Sequence, residues 1–196
     1  MDSFWLNTEW ATAEYQDLKR ENFTILDKDL STPPLKILDI GCGLAWESRL
    51  FNQKYNSELW LLDGDVSGNA NKPSNAKDIN YHETADNFLF YHPLTKVDEE
   101  LKKLGTKNYH LVDCNNINLP EDLKFDLITS WLSCGFHYPA STYRELILKH
   151  SHENTRVVMD IRAHLKTKEL FLEDGVELVK KLIVRRKSAT AEIKFV

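Results

Sequence analysis

Short apolar runs of strand length recur along the chain, at 36–40 ("KILDI"), 58–63 ("ELWLLD"), 109–113 ("YHLVD"), 125–131 ("FDLITSW") and 156–161 ("RVVMDI"). Between them lie stretches of helical pattern at 45–55, 94–105 and 139–151. In the second of these, Leu94, Val97, Leu101 and Leu104 share one face and Gly105 supplies a stop; in the third, Pro139 suits a first turn. Strands alternating with helices predict an α/β protein with a parallel sheet. A further helix is expected at 165–174, after which 176–186 and 189–196 are separated only by Lys187 and Ser188. That break is too short for a crossover, so the last two strands pair antiparallel. The segment 65–80 is rich in Asn, Ser, Gly and Pro and reads as a loop inserted after the second strand. Near the start, Phe4, Trp5, Trp10 and Tyr15 have the spacing of a helix face. Residues 1–34 are thus expected to form a helical extension, packed on the sheet or folded over a ligand as a lid, ahead of a domain at 35–196.

Composition narrows the class. A chain of 196 residues suits a single core, and no apolar stretch approaches the ~18 residues that cross a bilayer. The opening "MDSFWLNTEW" lacks a basic segment followed by an apolar one, so a cytoplasmic location is expected. Cys42, Cys114 and Cys134 are odd in number and widely spaced, which suits reduced thiols better than disulfides or a zinc site. The net charge of −5, with basic residues clustered only at 180–187, argues against nucleic acid as a partner.

The stretch "ILDIGCGLAWES" at 37–48 carries the chemistry. Glycines ending a strand before a helix, here Gly41 and Gly43, let a ligand approach the backbone. Asp39 places a carboxylate inside an apolar strand, where it requires a donor. A dinucleotide fingerprint would need glycine at position 46, which is Trp46. Asp63 ends the second strand, 20 residues past Gly43, where an acid accepts hydrogen bonds from ribose hydroxyls. A ribose without a pyrophosphate follows. Asp63, Asp65, Ser67 and Gly68 also match the start of a calcium loop, but its twelfth position is Ser74 instead of a bidentate Glu. Asp65 is then a second ribose ligand or a solvated acid.

At these residues the sequence resembles the class I S-adenosylmethionine-dependent methyltransferases. "LDIGCGLA" is similar to their Asp-x-Gly-x-Gly-x-Gly motif, with Ala45 in place of the third glycine. "LVDCNNINLP" resembles their third-strand segment, which implies that Asp113 and Cys114 contact adenine; "KFDLITSWLS" resembles the fourth strand, which runs under the sulfonium and places Ser130 beside it. The resemblance spans residues 35–196. It implies a Rossmann-like, doubly wound, mostly parallel seven-stranded sheet with an antiparallel C-terminal hairpin strand. It also implies S-adenosylmethionine as cofactor, held by Asp39, Gly41, Gly43, Asp63, Asp65, Asp113, Cys114 and Ser130, with no metal.

For the acceptor, the loop "SCGFHYP" at 133–139 follows the fourth strand, at the sheet edge where ligands of open α/β folds bind. His137 is the candidate base, or a partly buried loop histidine; Tyr138 and Trp131 are candidate walls or hydrogen-bonding handles. No Asn/Asp-Pro-Pro-aromatic run follows that strand, which weakens the nucleic-acid reading. The expected reaction is methyl transfer to a hydroxyl of a small molecule, a sugar among the options. The alternatives are a nucleic-acid or protein acceptor, or a non-catalytic cofactor-binding subunit.

Overall fold

A computed structural model describes residues 13–64 and 94–196. Helix α1 (Ala13–Asp29) leads into β1 (Lys36–Ile40), α2 (Trp46–Tyr55) and β2 (Glu58–Asp63). Helix α3 (Leu94–Lys103) precedes β3 (Tyr109–Asp113) and β4 (Phe125–Ser130). A 3-10 turn (Ala140–Tyr143) runs into α4 (Arg144–Lys149), and β5 (Ser151–Arg162), β6 (Val176–Val184) and β7 (Ser188–Phe195) complete the chain. The strands form one seven-stranded sheet in the order β3-β2-β1-β4-β5-β7-β6. Pairing is parallel from β3 through β5, while β7 runs antiparallel between β5 and β6.

Alternating side chains sort the core into two layers. On one face Ile37, Leu59, Leu61, Leu127 and Val158 pack with Leu26 of α1, Phe51 of α2, and Val97 and Leu101 of α3. On the other, Leu38, Ile40, Leu62, Ile128, Met159 and Ile161 meet Leu119, Leu123, Tyr138, Ala140 and Ile147. The second cover consists of connecting segments and the short 140–149 helical turns, and it brings the segment after β4 down onto the sheet edge.

Helix α1 belongs to the body of the molecule. Phe23 meets Phe51 edge to face at 4.7 Å, and Lys19 and Glu47 of α2 form an ion pair of 2.8 Å with both side chains nearly fully buried. At its end, Asp29 receives Arg156 of β5 at 2.5 Å and Lys180 of β6 at 2.7 Å. Tyr15 is within this helix, whereas Phe4, Trp5 and Trp10 lie outside the described residues, as does the 65–80 insertion.

Two expectations need correction. Residues 165–174 are not helical: Ala163 and Leu170 form an antiparallel bridge, and the Phe171 N–H donates to the Arg162 carbonyl at 2.8 Å. Contacts with the end of β5 override the local pattern there. The 139–151 helix is shorter than its pattern, because Ser151 already begins β5; His150 ends it, buried, with Nδ1 2.8 Å from the Leu123 carbonyl.

Candidate functional site

The carboxyl ends of β1, β2, β3 and β4 converge on the turn that follows β1. Gly41, Gly43 and Ala45 all adopt positive φ, at +68°, +50° and +49°. Ala45 thus holds a conformation that costs a Cβ-bearing residue about 1 kcal/mol. The Gly41 and Cys42 N–H groups both donate to the Leu62 carbonyl, at 2.7 and 3.2 Å, which fixes the turn to the end of β2.

Asp63 closes on this turn. Its Oδ2 accepts from the Gly43 N–H and its Oδ1 from the Gly64 N–H, each at 2.7 Å. Burial raises the Asp63 pKa and the two backbone donors oppose that rise. Cys42 lies with Sγ 3.9 Å from the same Oδ2; burial, with Asp63 adding to it, pushes its thiol well above the ordinary range.

In the parallel register Asp113 is the partner of Asp63 on the neighbouring strand, so the two acids stand side by side at the sheet edge. Asp113 Oδ1 accepts from the Asn115 backbone N–H at 2.9 Å and from its side-chain amide at 2.6 Å, capping the turn after β3. The Cys114 N–H donates to the Asp63 carbonyl at 2.9 Å. Its thiol is pushed up to about 12, first by burial and then by the charges of Asp63 and Asp113, so it remains a neutral wall.

The segment after β4 supplies the other side. Ser130, fully buried, donates its hydroxyl to the Ile40 carbonyl at 2.7 Å and accepts the Cys134 N–H at 2.8 Å, tying β1 to this loop. Leu132 is held at φ +51°, its N–H 3.1 Å from Asp160 Oδ2. Ser133 then lies over the glycine turn: a Cβ on Gly41 would meet Ser133 Oγ at 1.9 Å and the Tyr138 hydroxyl oxygen at 3.7 Å. The space freed at Gly41 is therefore filled by the chain's own serine, leaving Gly43 as the glycine that presents its N–H to Asp63. Tyr138 is buried with its hydroxyl 3.0 Å from Ser133 Oγ. Its pKa lies well above 10, raised first by burial, so it stays protonated at neutral pH. His137 is half-buried on the same loop, edge to face with Phe136 at 5.0 Å, and its backbone N–H donates to the Ser133 carbonyl at 2.8 Å.

Asp39 is placed differently from the other acids. It is 1% exposed and faces the helical layer, where Ser48 Oγ donates to Oδ2 at 2.6 Å and Thr129 Oγ1 lies 3.3 Å from Oδ1. Its carboxyl links β1, β4 and α2 beneath the turn. Burial is the main reason its pKa rises to about 7, with the Ser48 hydrogen bond opposing.

The structure thus brings together Gly41, Gly43, Asp63, Asp113, Cys114, Ser130 and Tyr138, sets Asp39 underneath, and holds His137 on the adjoining loop. Asp65 lies outside the described residues. Ser133 and Tyr143 were not singled out by the sequence. Ser133 packs on Gly41, and Tyr143 shares a hydrogen bond with the Cys114 thiol. The signal for Ser133 was its place at the start of "SCGFHYP"; Tyr143 sits in a helix pattern and carried none. Among the described residues no group of three or more His, Cys, Asp or Glu side chains is arranged to hold a metal ion.

No protein-family model and no curated protein matches the sequence. Solved structures do match. The PH0226 protein from Pyrococcus horikoshii OT3 is 12% identical with a TM-score of 0.63, over 98% of this chain and 96% of that one. Magnesium protoporphyrin IX methyltransferase from Synechocystis PCC 6803, solved with bound SAM, is 14% identical with a TM-score of 0.55, over 91% and 78%. A ribosomal protein L11 methylase from Lactobacillus delbrueckii subsp. bulgaricus is 12% identical with a TM-score of 0.56, over 94% and 80%. At such identities the likeness is one of fold, and it agrees with the strand order and with the single reversed strand β7. The chain has the Rossmann-like fold of the class I S-adenosylmethionine-dependent methyltransferases.

Proposed function

We propose that the chain is an S-adenosylmethionine-dependent methyltransferase acting on a hydroxyl of a small molecule, with a sugar among the acceptors to try first. The observation that carries this reading is the Asp63 carboxylate, held by the Gly43 and Gly64 N–H groups at the mouth of the glycine turn. Each of its oxygens keeps lone-pair capacity for a ribose hydroxyl. Uncapped backbone at the start of α2 and the acids at the ends of β2 and β3 fit an amino-acid end and a nucleoside end respectively. Cofactor residues in this reading are Gly43 and Asp63 by direct contact, Asp113 and Cys114 beside the adenine, and Asp39, Gly41 and Ser130 as supports of the turn.

The cofactor supplies a methyl carbon on a positively charged sulfur. When bound, it would offer that carbon to in-line attack by the acceptor oxygen with the thioether as leaving group, and the hydroxyl proton would have to leave to a base. His137 takes that proton in this reading, being an imidazole on the loop after β4. Tyr138, kept protonated, donates a hydrogen bond and does not act as the base. Ser133 orients its hydroxyl at 3.0 Å.

Titration with S-adenosylhomocysteine, followed by calorimetry and melting temperature, tests the cofactor half; stabilisation is expected, with none from NAD. Asp63→Ala should weaken the binding, and unchanged affinity in that variant would remove the ribose assignment. With an acceptor in hand, His137→Ala should lower turnover by ~10²–10⁴ while leaving S-adenosylhomocysteine affinity intact. Near-normal turnover in that variant would dismiss His137 as the base.

A further inference from the structure

Arg49 lies one turn into α2 and is 5% exposed. Its backbone N–H donates to the Ala45 carbonyl at 2.8 Å. Helical side chains lean toward the helix N-terminus. Arg49 follows this rule, its Cζ lying 4.4 Å from the centroid of the Trp46 ring, the first residue of α2. Among the described residues no carboxylate pairs with the guanidinium. Nε and Nη1 are buried without an acceptor, as is Nε1 of Trp46. The other cations of this layer are paired: Lys19 with Glu47, Arg156 with Asp29 and Glu192, and Arg185 with Asp160. Burial alone pushes the Arg49 pKa down to about 10, which still leaves it charged at neutral pH. A buried charge with no counter-charge among the described residues, and with two guanidinium nitrogens lacking an acceptor, is costly to keep unless a ligand completes it.

The start of α2 has the same deficit. Its N-cap residue is Ala45, which has no side-chain oxygen to cap the helix, so the first-turn N–H groups present the positive end of the helix without a side-chain cap from that position. We propose that Arg49, the Trp46 indole N–H and the uncapped start of α2 form a carboxylate-binding site beside the glycine turn. A guanidinium and backbone N–H groups accept a planar oxyanion in paired hydrogen bonds. The single positive charge is balanced by a monoanion; a phosphate dianion would leave a net negative charge in buried surroundings. The carboxylate belongs either to the amino-acid end of the thioether cofactor or to the acceptor. Continuity of α2 with the glycine turn favours the cofactor, and that assignment rests on the reading under Proposed function.

Calorimetry on wild type, Arg49→Met and Arg49→Lys with three probes separates these cases. The probes are S-adenosylhomocysteine, 5′-methylthioadenosine, which lacks the amino-acid end, and sodium acetate against chloride at equal ionic strength. Arg49→Met is expected to raise the melting temperature of the unliganded protein, since it removes an unpaired buried charge. It should also weaken S-adenosylhomocysteine binding about ten- to hundredfold while leaving methylthioadenosine binding unchanged, with Arg49→Lys intermediate. If both thioethers bind Arg49→Met as they bind wild type, but acetate stabilises only wild type, the carboxylate is the acceptor's and the site stands. Equal loss of both thioethers, a lowered melting temperature in Arg49→Met, or indifference of every probe to the substitution would overturn the site. Wild type that binds neither thioether would instead defeat the cofactor reading, while the acetate titration would still report on Arg49.

Discussion

Asp39→Asn isolates the proton linkage of a carboxyl group enclosed between the sheet and α2. In the native chain this group is expected to hold its proton up to about pH 7, against an ordinary value of 3.8. The unfolded chain releases that proton near pH 4. Between those limits the native state binds more protons than the unfolded state, so this residue makes wild-type stability fall as pH rises. A rise of this size corresponds to about 4 kcal/mol at 1.36 kcal/mol per unit. Lys19 opposes the rise and water penetration lessens it, so a measured contribution of about 2–4 kcal/mol is expected. Asparagine retains an acceptor for the Ser48 hydroxyl and carries no titrating proton. Urea unfolding of both proteins from pH 4.5 to 8 at fixed ionic strength should show the stability difference moving in favour of Asp39→Asn across the window and levelling above pH 7. A difference independent of pH would refute the linkage. A difference growing toward wild type would mean that the carboxyl group ionises easily in the fold, with Lys19 as its effective counter-charge.

Other consequences are read more quickly. Gly41→Ala forces a Cβ to 1.9 Å from Ser133 Oγ at φ +68°, so it should cost about 2 kcal/mol or more of unfolding free energy. Adding Ser133→Gly should recover the steric part but not the part due to φ. Lys19→Met leaves Glu47 buried with the Asn22 amide at 2.9 Å as its remaining side-chain partner among the described residues, and a loss of about 3–5 kcal/mol is expected by chemical denaturation. The double variant Lys19→Met/Glu47→Leu should be close to neutral, and an additive double loss would refute the pairing argument.

Most of the sheet was legible because its strands are short apolar blocks set off by polar connectors, a pattern that depends on nearby residues alone. The same locality explains the failure at 165–174. Leu170 and Phe171 have helix-compatible spacing, but Leu170 bridges Ala163, and Phe171 both bonds to the Arg162 carbonyl and lies 3.8 Å from His164 in ring contact. Those partners become available only once β5 has taken its place beside β7. The site divides in the same way. That Asp39 needs donors follows from its strand; that they are Ser48 and Thr129 does not, since Thr129 is 90 residues away. For Gly41 the sequence indicated a missing side chain but not the occupant of its space.

Arg49 was the least legible because, in a sequence, an arginine within an amphipathic helix reads as part of a solvated face. Its neighbours Glu47 and Ser48 are equally polar, and the structure finds partners for both: Lys19 and Asn22 for the first, Asp39 for the second. Three consecutive polar residues thus enter buried surroundings at the start of one helix, and among the described residues the third alone lacks a carboxylate partner or an acceptor for its buried Nε and Nη1. Folding energetics account for the first two, since each contributes hydrogen bonds that join α2 to α1 or to β1. They do not account for Arg49, whose removal should stabilise the unliganded chain. A residue whose burial opposes folding in the absence of ligand, placed one turn past the left-handed turn of Gly41, Gly43 and Ala45, is better explained by what the helix binds than by what it packs against.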